Sequence, residues 1–284
     1  MSVSTVAPPL GTIFGVQALM TMAAYGISVI IPDAADDIGL DPRFVGFLSG
    51  SLYLSAMLTG PFTALLMRRF GATVVFQGLV VLTGIGVLAL LGAHPVLAFA
   101  GALVIGIGTG PMNPSGSHVL ARIAPRAWHP MVFSIKQCAT PAGGMLAGAV
   151  LPPLAALYDW RLALAVLPVA AVVITFLAPF GRLGNKTNEA PPPATPRILH
   201  EALASLKSAV ATPALRAVCL TGAGLGACQL SVAAYYVVYL WSTVGMTPTE
   251  AGRMFVVFHI VGIVARLALG AMAERLVPTR VLLP

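Results

Sequence analysis

The stretch GLDPRFVG, residues 39–46, returns later in the chain as GMTPTEAG, residues 245–252, with Gly, an apolar residue, Pro and Gly at matching places. At the same shift of about 206 residues, Arg69 matches Arg275. Chance is a poor explanation, because one shift aligns both the quoted stretches and these two Arg residues. The sequence therefore contains an internal repeat, and each copy of the stretch leads into an equivalent apolar run.

The composition is that of a membrane protein. Hydrophobic residues make up 58% and charged residues 9%, and the mean hydropathy is +0.92, whereas a soluble domain has about 25% charged residues. Apolar runs recur at the length of about 20 residues that a helix needs to cross a bilayer. Eight runs are predicted to be membrane-spanning helices: 11–31, 44–67, 73–93, 96–120, 131–158, 162–180, 215–241 and 251–273. The fold class is therefore predicted to be an all-α integral membrane protein.

Basic residues alternate between the two sets of connections. One set holds Arg68, Arg69, Arg122, Arg126, Arg182, Lys186, Arg197, Lys207, Arg216, Arg275 and Arg280, and the other only Arg43, Arg161 and Arg253. The second set holds the acidic residues Asp33, Asp36, Asp37, Asp41, Asp159 and Glu250. Because cytoplasmic loops carry excess Lys and Arg, both termini are predicted to be cytoplasmic, in a multi-pass protein of the cytoplasmic (inner) membrane. The net charge of +7 reports this topology, and no aromatic and basic surface suggests nucleic acid as a partner.

One long polar connection divides the chain. It opens with GRLGNKTNEAPPPATP, residues 181–196, which is too polar and too rich in Pro to pack a core. Residues 1–181 are predicted to be an N-terminal six-helix transmembrane half, 182–213 a cytoplasmic linker, and 214–284 the start of a second half with two helices. Part of the linker is either a short helix on the membrane surface or a loosely ordered segment.

This organisation resembles the major facilitator superfamily, whose members join two six-helix halves through a long cytoplasmic loop. Its signature loop between the second and third spans is similar to ALLMRRFGAT, residues 64–73, and to the second copy GAMAERLVPT, residues 270–279. The resemblance implies these gating-loop residues: Arg69, Gly71, Gly270, Glu274 and Arg275. Because Arg68 stands where the first copy should have an acid, Glu274 is the residue expected to supply the acid of the latch.

The resemblance also implies the function. It predicts a secondary active transporter that works by alternating access, with no cofactor and no enzymatic activity. A complete member has about twelve spans, whereas Pro284 stands where the ninth should begin. The chain is thus expected to be a truncated member, with the N-terminal half and the first two C-terminal helices of a product of roughly 390 residues. The alternative is a transport-inactive fragment or a regulatory membrane protein that retains the fold.

Two cations lie inside predicted spans that contain no Asp or Glu in their interiors. Arg266 lies roughly 12 Å from the end of its helix, too far to reach water easily by snorkelling, and it shares a stripe with His259, two turns away. Lys136 lies at a similar depth on span five. Because two cations repel unless an anion or water separates them, Lys136 and Arg266 are predicted to form an anion site, with hydrogen bonds from Gln137 and His259. The alternative for Lys136 is that it snorkels to the headgroups.

Further polar residues lie on spans that line the central cavity in the family. The resemblance implies these substrate contacts: Gln17, Thr21 and Tyr25 on span one, Asn113 on span four, and Gln229, Ser231, Tyr235 and Tyr236 on span seven. The expected partners are a small organic solute, predicted to be anionic, and the lipid bilayer. A proton or another ion is a candidate for co-transport, and the three cysteines show no metal-ligand spacing.

Overall fold

The computed structural model describes the backbone of residues 3–177, 207 and 211–276, and side chains within residues 5–126, 128–177, 207 and 211–268. The predicted linker therefore lies largely outside the described residues. The helices are α1 (Val3–Ile38), α2 (Val45–Thr59), α3 (Thr63–Leu90), α4 (Pro95–Thr109), α5 (Met112–Ile123), α6 (His129–Gln137), α7 (Ala139–Leu157), α8 (Trp160–Leu177), α9 (Pro213–Ser242) and α10 (Pro248–Leu276). Short 3-10 turns at Pro42–Phe44, Gly60–Phe62 and Arg126–Trp128 precede α2, α3 and α6.

Seven helical segments of the described chain are long and apolar enough to cross a membrane, and one of them, Pro42–Leu90, has 49 residues. This segment reverses at Gly71, whose φ of 80° and ψ of 163° interrupt α3. The pieces on either side of Gly71 pack against the same part of α4, because Gly106 lies against the backbone of Leu52 while Gly108 lies against Leu79. The 49-residue segment therefore makes two crossings, and the described chain crosses eight times, as the apolar runs predict.

Spans four and five are each built from two helical pieces. Span four consists of α4 and α5, which meet at Gly110 and Pro111. Span five consists of α6 and α7, which meet at Cys138. In span four, an added Cβ on Gly106, Gly108 or Gly110 would collide with a neighbouring helix. Small residues let helix backbones approach closely in a membrane, so span four is thin where it crosses its neighbours.

The two ends of the helix bundle differ in charge. We call the end that holds Asp37, Asp41, Asp159 and Glu250 the acidic end, and the end that holds Arg68, Arg69, Arg122 and Arg126 the basic end. At the acidic end, Asp37 lies 2.9 Å from the guanidinium of Arg161 and accepts a hydrogen bond of 2.9 Å from Trp160 Nε1. These bonds fasten α1 to the start of α8.

The last two helices touch the first eight most closely near the acidic end. Helix α10 packs along α7, where a Cβ added to Gly148 would lie 2.6 Å from the carbonyl oxygen of Gly252. Tyr235 on α9 donates a hydrogen bond of 3.3 Å to the backbone oxygen of Arg43. Towards the basic end α10 separates from this packing, and Val264 and Leu267 are exposed. The gap that results contains the candidate site.

Candidate substrate-binding cavity

Two adjoining cavities lie between α1–α8 and the last two helices. The larger has a volume of about 570 Å³, and we call it the aromatic compartment because its walls include Tyr25, Tyr236, Phe258 and His259. The smaller has a volume of about 460 Å³, and we call it the polar compartment because its walls include Asn113, Ser134 and Gln137. Thr140 and Arg266 belong to the walls of both. Both volumes suit a small molecule, since ligand pockets usually enclose about 300–1,000 Å³.

Arg266 lies at the junction of the two compartments. Its Nη1 donates a hydrogen bond of 3.3 Å to the backbone oxygen of Gln137, which is long for an N–H···O bond. Among the described residues it has no other hydrogen-bond partner and no carboxylate. A guanidinium carries five N–H donors, so most of its donors are available to a molecule in the cavity.

Lys136 does not lie where the sequence predicted. Its side chain is fully buried, and its Nζ donates to the backbone oxygen of Asn113 at 2.8 Å, to Ser117 Oγ at 2.9 Å, and to Asn113 Oδ1. Lys136 therefore neither snorkels to the headgroups nor lines a compartment beside Arg266. The prediction that Lys136 and Arg266 bind one anion together is therefore corrected. Asn113 lines the polar compartment, and Lys136 lies behind Asn113.

The packing of span five against α5 explains this difference. Cys138 keeps helical dihedral angles, with φ of −70° and ψ of −14°, so Lys136 and Thr140, four residues apart, stay on a similar face. They meet different helices, however: Lys136 reaches Asn113 on α5, and Thr140 meets Gln17 on α1. Lys136 turns towards α5, where Gly116 leaves room for its stem: a Cβ on Gly116 would lie 3.1 Å from Lys136 Cε. Thr140 lies in the cavity wall.

Gln17 supports the wall without forming it. Its side chain is buried, and Nε2 donates a hydrogen bond of 3.1 Å to Thr140 Oγ1. Its Oε1 has no hydrogen-bond partner in the described part of the chain. The prediction that Gln17 contacts substrate directly is therefore corrected, because Thr140 stands between Gln17 and the compartments.

The aromatic compartment has a wall of interlocking rings. The ring of His259 lies 5.2 Å from that of Tyr25, 4.5 Å from Phe255 and 5.1 Å from Phe258, measured between centroids. Tyr236 stacks on Phe258 at 5.4 Å. Gly144 leaves the space that the His259 ring occupies. Phe258 lines the compartment, and Phe255 is buried behind it. Sequence reasoning missed both, because a Phe on a membrane helix is not distinguishable from a lipid-facing residue.

On span seven, only one of two adjacent tyrosines faces the cavity. Gln229 and Tyr236 line the aromatic compartment, but Tyr235 is 42% exposed and packs on Gly46 near the acidic end. Adjacent residues on a helix point about 100° apart, so only one of the two tyrosines can face the cavity. Both tyrosines were predicted as substrate contacts; in this conformation Tyr236 lines the aromatic compartment, whereas Tyr235 points away from it and that part of the prediction is corrected.

The gating-loop residues lie at the basic end. Gly71 forms the reversal in α3, and the Arg69 guanidinium lies 5.5 Å from the ring centroid of Phe70. The side chains of Gly270, Glu274 and Arg275 lie outside the described residues, so their roles stay predictions. Within the described residues there is no group of three or more His, Cys, Asp or Glu side chains that could hold a metal ion.

The family follows from comparison with known proteins. The family model described as Major Facilitator Superfamily matches residues 13–284. The chain therefore belongs to this family of membrane transporters. No curated protein matches the chain significantly.

Solved transporters share this fold. A bacterial homologue of the human lysosomal transporter Spinster, in an inward-facing and occupied conformation, is similar with a TM-score of 0.71 and 15% identity over 98% of this chain and 63% of that chain. Its unoccupied inward-facing form gives 0.68, with 15% identity over 98% and 64% of the two chains. A peptide transporter, POT, in complex with sulfate gives 0.52 and 21% identity over 84% and 48%. The chain spans less than two thirds of these proteins' lengths.

Proposed function

We propose that this protein is a secondary transporter that binds a small organic anion and exposes it alternately to the two sides of the cytoplasmic membrane. The observation that carries the proposal is Arg266, which lies at the junction of two cavities with one long hydrogen bond to the protein. A carboxylate or similar group could accept two parallel hydrogen bonds from this guanidinium. Arg266 is exposed to the cavity, so its donors are accessible to such a group.

The charge around the cavity supports an anion. Among the described residues, no Asp or Glu belongs to the walls of either compartment, and the buried ammonium of Lys136 lies behind the Asn113 side chain. A cationic solute would meet this positive field without a counter-charge. A proton or another ion is the candidate for co-transport with the anion.

The packing of the halves supports an inward-open arrangement. We take α1–α8 as the first half, α9 and α10 as the start of the second, and the basic end as cytoplasmic. The two parts touch through Gly148 and Gly252 at the acidic end, while the polar compartment lies towards the basic end. In alternating access, one half rocks against the other around a central site, so this contact is the one that must open.

A binding experiment tests the anion site. The chain is placed in lipid nanodiscs, and its thermal unfolding is followed with a panel of carboxylates and their neutral amides. We expect carboxylates, but not amides, to raise the Tm of the wild type and of Arg253→Gln, a matched control on the same helix. Arg266→Gln should fold and lose the response. An equal response of Arg266→Gln would contradict the anion site.

Transport needs a second measurement. Liposomes that contain this chain and an excess of the unlabelled carboxylate should accumulate the labelled compound by counterflow, in a saturable manner that Arg266→Gln abolishes. Binding without counterflow would contradict transport by this chain and favour the alternative of a regulatory or transport-inactive membrane protein.

A further inference from the structure

We infer that the anion is an aryl monocarboxylate, whose carboxylate binds to Arg266 and whose ring enters the aromatic compartment. This inference rests on the proposed function and adds the substrate class. It depends on a contrast between the two sides of Arg266, because the guanidinium divides a cavity bordered by aromatic rings from one bordered by amides and a hydroxyl.

The aromatic compartment is bordered by a cluster of rings that pack on one another. The centroid separations between rings that line it run from 5.1 Å for Phe258 and His259 to 5.4 Å for Tyr236 and Phe258, and a guest ring can extend this cluster. Aromatic pairs prefer separations of about 4.5–7 Å in stacked or edge-to-face arrangements. Tyr236 and Phe258 are only partly buried by the protein, so their surfaces remain available to a planar guest.

The small residues beside Arg266 fix the direction of the guest. Gly262 and Ala265 line the aromatic compartment next to Arg266, and an added Cβ on Gly262 would meet no atom within 4 Å. A ring can therefore lie against α10 directly beside the guanidinium. The carboxylate then faces the polar compartment, where Asn113 and Gln137 can hydrogen-bond to it or to its hydrating water.

The same contrast disfavours dicarboxylates. A second carboxylate at the far end of the ring would lie among Tyr25, Tyr236, Phe258 and Val257. Among the described side chains that line this compartment, Arg266 is the only Arg or Lys, and the His259 ring is packed among the aromatic rings. Removing a charge from water without a partner is costly. One charge per molecule, at one end of an aromatic body, matches the cavity.

The test compares matched ligands on the intact chain in nanodiscs by calorimetric titration. Phenylacetate is compared with cyclohexylacetate, which keeps the charge and replaces the aromatic ring, and with 1,4-phenylenediacetate, which adds a second carboxylate. We expect phenylacetate to bind about 2- to 10-fold more tightly than cyclohexylacetate. We expect the dicarboxylate to bind at least about 10-fold more weakly than phenylacetate.

Variants assign the preference to the rings. Phe258→Leu should bring the ratio between phenylacetate and cyclohexylacetate close to one, and Tyr236→Leu should lower it independently. Phe176→Leu, at a side chain 82% exposed on α8, should leave the ratio unchanged. Equal binding of the two ligands by the wild type, or an unchanged ratio in both cavity variants, would overturn the aryl class but leave the anion site standing. Absence of binding by every carboxylate would overturn the proposed function as well.

Discussion

Lys136 is a buried ammonium that the structure satisfies with neutral groups. Its partners are two oxygens of Asn113 and the hydroxyl of Ser117, and no described carboxylate lies within salt-bridge distance. Because Asn113 Oδ1 accepts from Lys136, the amide NH₂ of Asn113 is the part that can donate into the polar compartment. We therefore expect Lys136 to act on an anion through Asn113, as a positioning residue.

Asn113→Asp tests this arrangement. The new carboxylate would still accept from Lys136 but would replace the amide donor by a negative charge. We expect the affinity for carboxylates to fall by about tenfold or more, since 1.4 kcal/mol corresponds to tenfold, while the Tm without ligand is held or raised. Calorimetric titration and thermal unfolding measure the two effects.

Ser117→Ala is the control for Asn113→Asp. It removes a hydrogen bond to Lys136 without changing a residue of the compartment walls, so it should lower the free energy of unfolding by about 1–3 kcal/mol and leave carboxylate affinity nearly unchanged. Normal carboxylate binding by Asn113→Asp would show that Asn113 does not donate to the anion.

Sequence reasoning identified most polar residues of the cavity but not their directions. Polar or charged side chains inside apolar helices can be recognised in the sequence. Those that line the compartments are Arg266, His259, Gln229, Gln137 and Asn113. The directions of Lys136 and Tyr235 depend on how α6 packs against α5 and on the rotation of α9. No local pattern in the sequence encodes either of these.

At the scale of elements, α7 and α10 meet through glycine on both sides. A Cβ on Gly252 would lie 2.7 Å from the carbonyl oxygen of Gly148 and 2.7 Å from Pro152 Cγ. Neither backbone can give way without the helices moving. This seam is therefore sensitive to side-chain volume, and it lies at the end that must open if the cavity is to face the other side.

Gly148→Leu should open the seam. The new side chain would meet the backbone of Gly252 and the side chain of Phe255, so we expect the acidic ends of α7 and α10 to separate by several ångströms. Spin labels at Tyr158→Cys and Val244→Cys, with the native cysteines replaced by Ser, measure the distance. Gly50→Leu is the matched control, because an added Cβ there meets no atom within 4 Å. An unchanged distance in Gly148→Leu would show that the seam adapts without opening.

At the scale of the whole molecule, the charge asymmetry agrees with the fold. The acidic and basic residues of the connections lie at opposite ends of one bundle, as an alternating topology requires. The repeat and the lengths of the apolar runs predicted the architecture, and the resemblance of its organisation and loops to the major facilitator superfamily predicted the family. The aromatic wall was not predictable, since it is assembled from α1, α9 and α10, which are distant in the sequence.

The orientation can be tested in intact cells. Asp36 and Arg126 are exposed at opposite ends of the bundle, and each can be replaced by Cys in a background whose native cysteines are replaced by Ser. We expect a membrane-impermeant maleimide to label Asp36→Cys in intact cells and Arg126→Cys only after permeabilisation, because the basic end should be cytoplasmic. The reverse pattern would invert the topology.

The reversal at Gly71 also constrains how the protein enters the membrane during synthesis. With one non-helical residue between the two arms, no loop is available to hold one arm in the bilayer while the other waits in water. The second and third crossings should therefore leave the translocation channel together as a helical hairpin, with Arg68 and Arg69 anchoring the tip. Any residue with a Cβ at position 71 would strain the left-handed backbone at the tip, so a substitution there would act on biogenesis before it acts on the finished transporter.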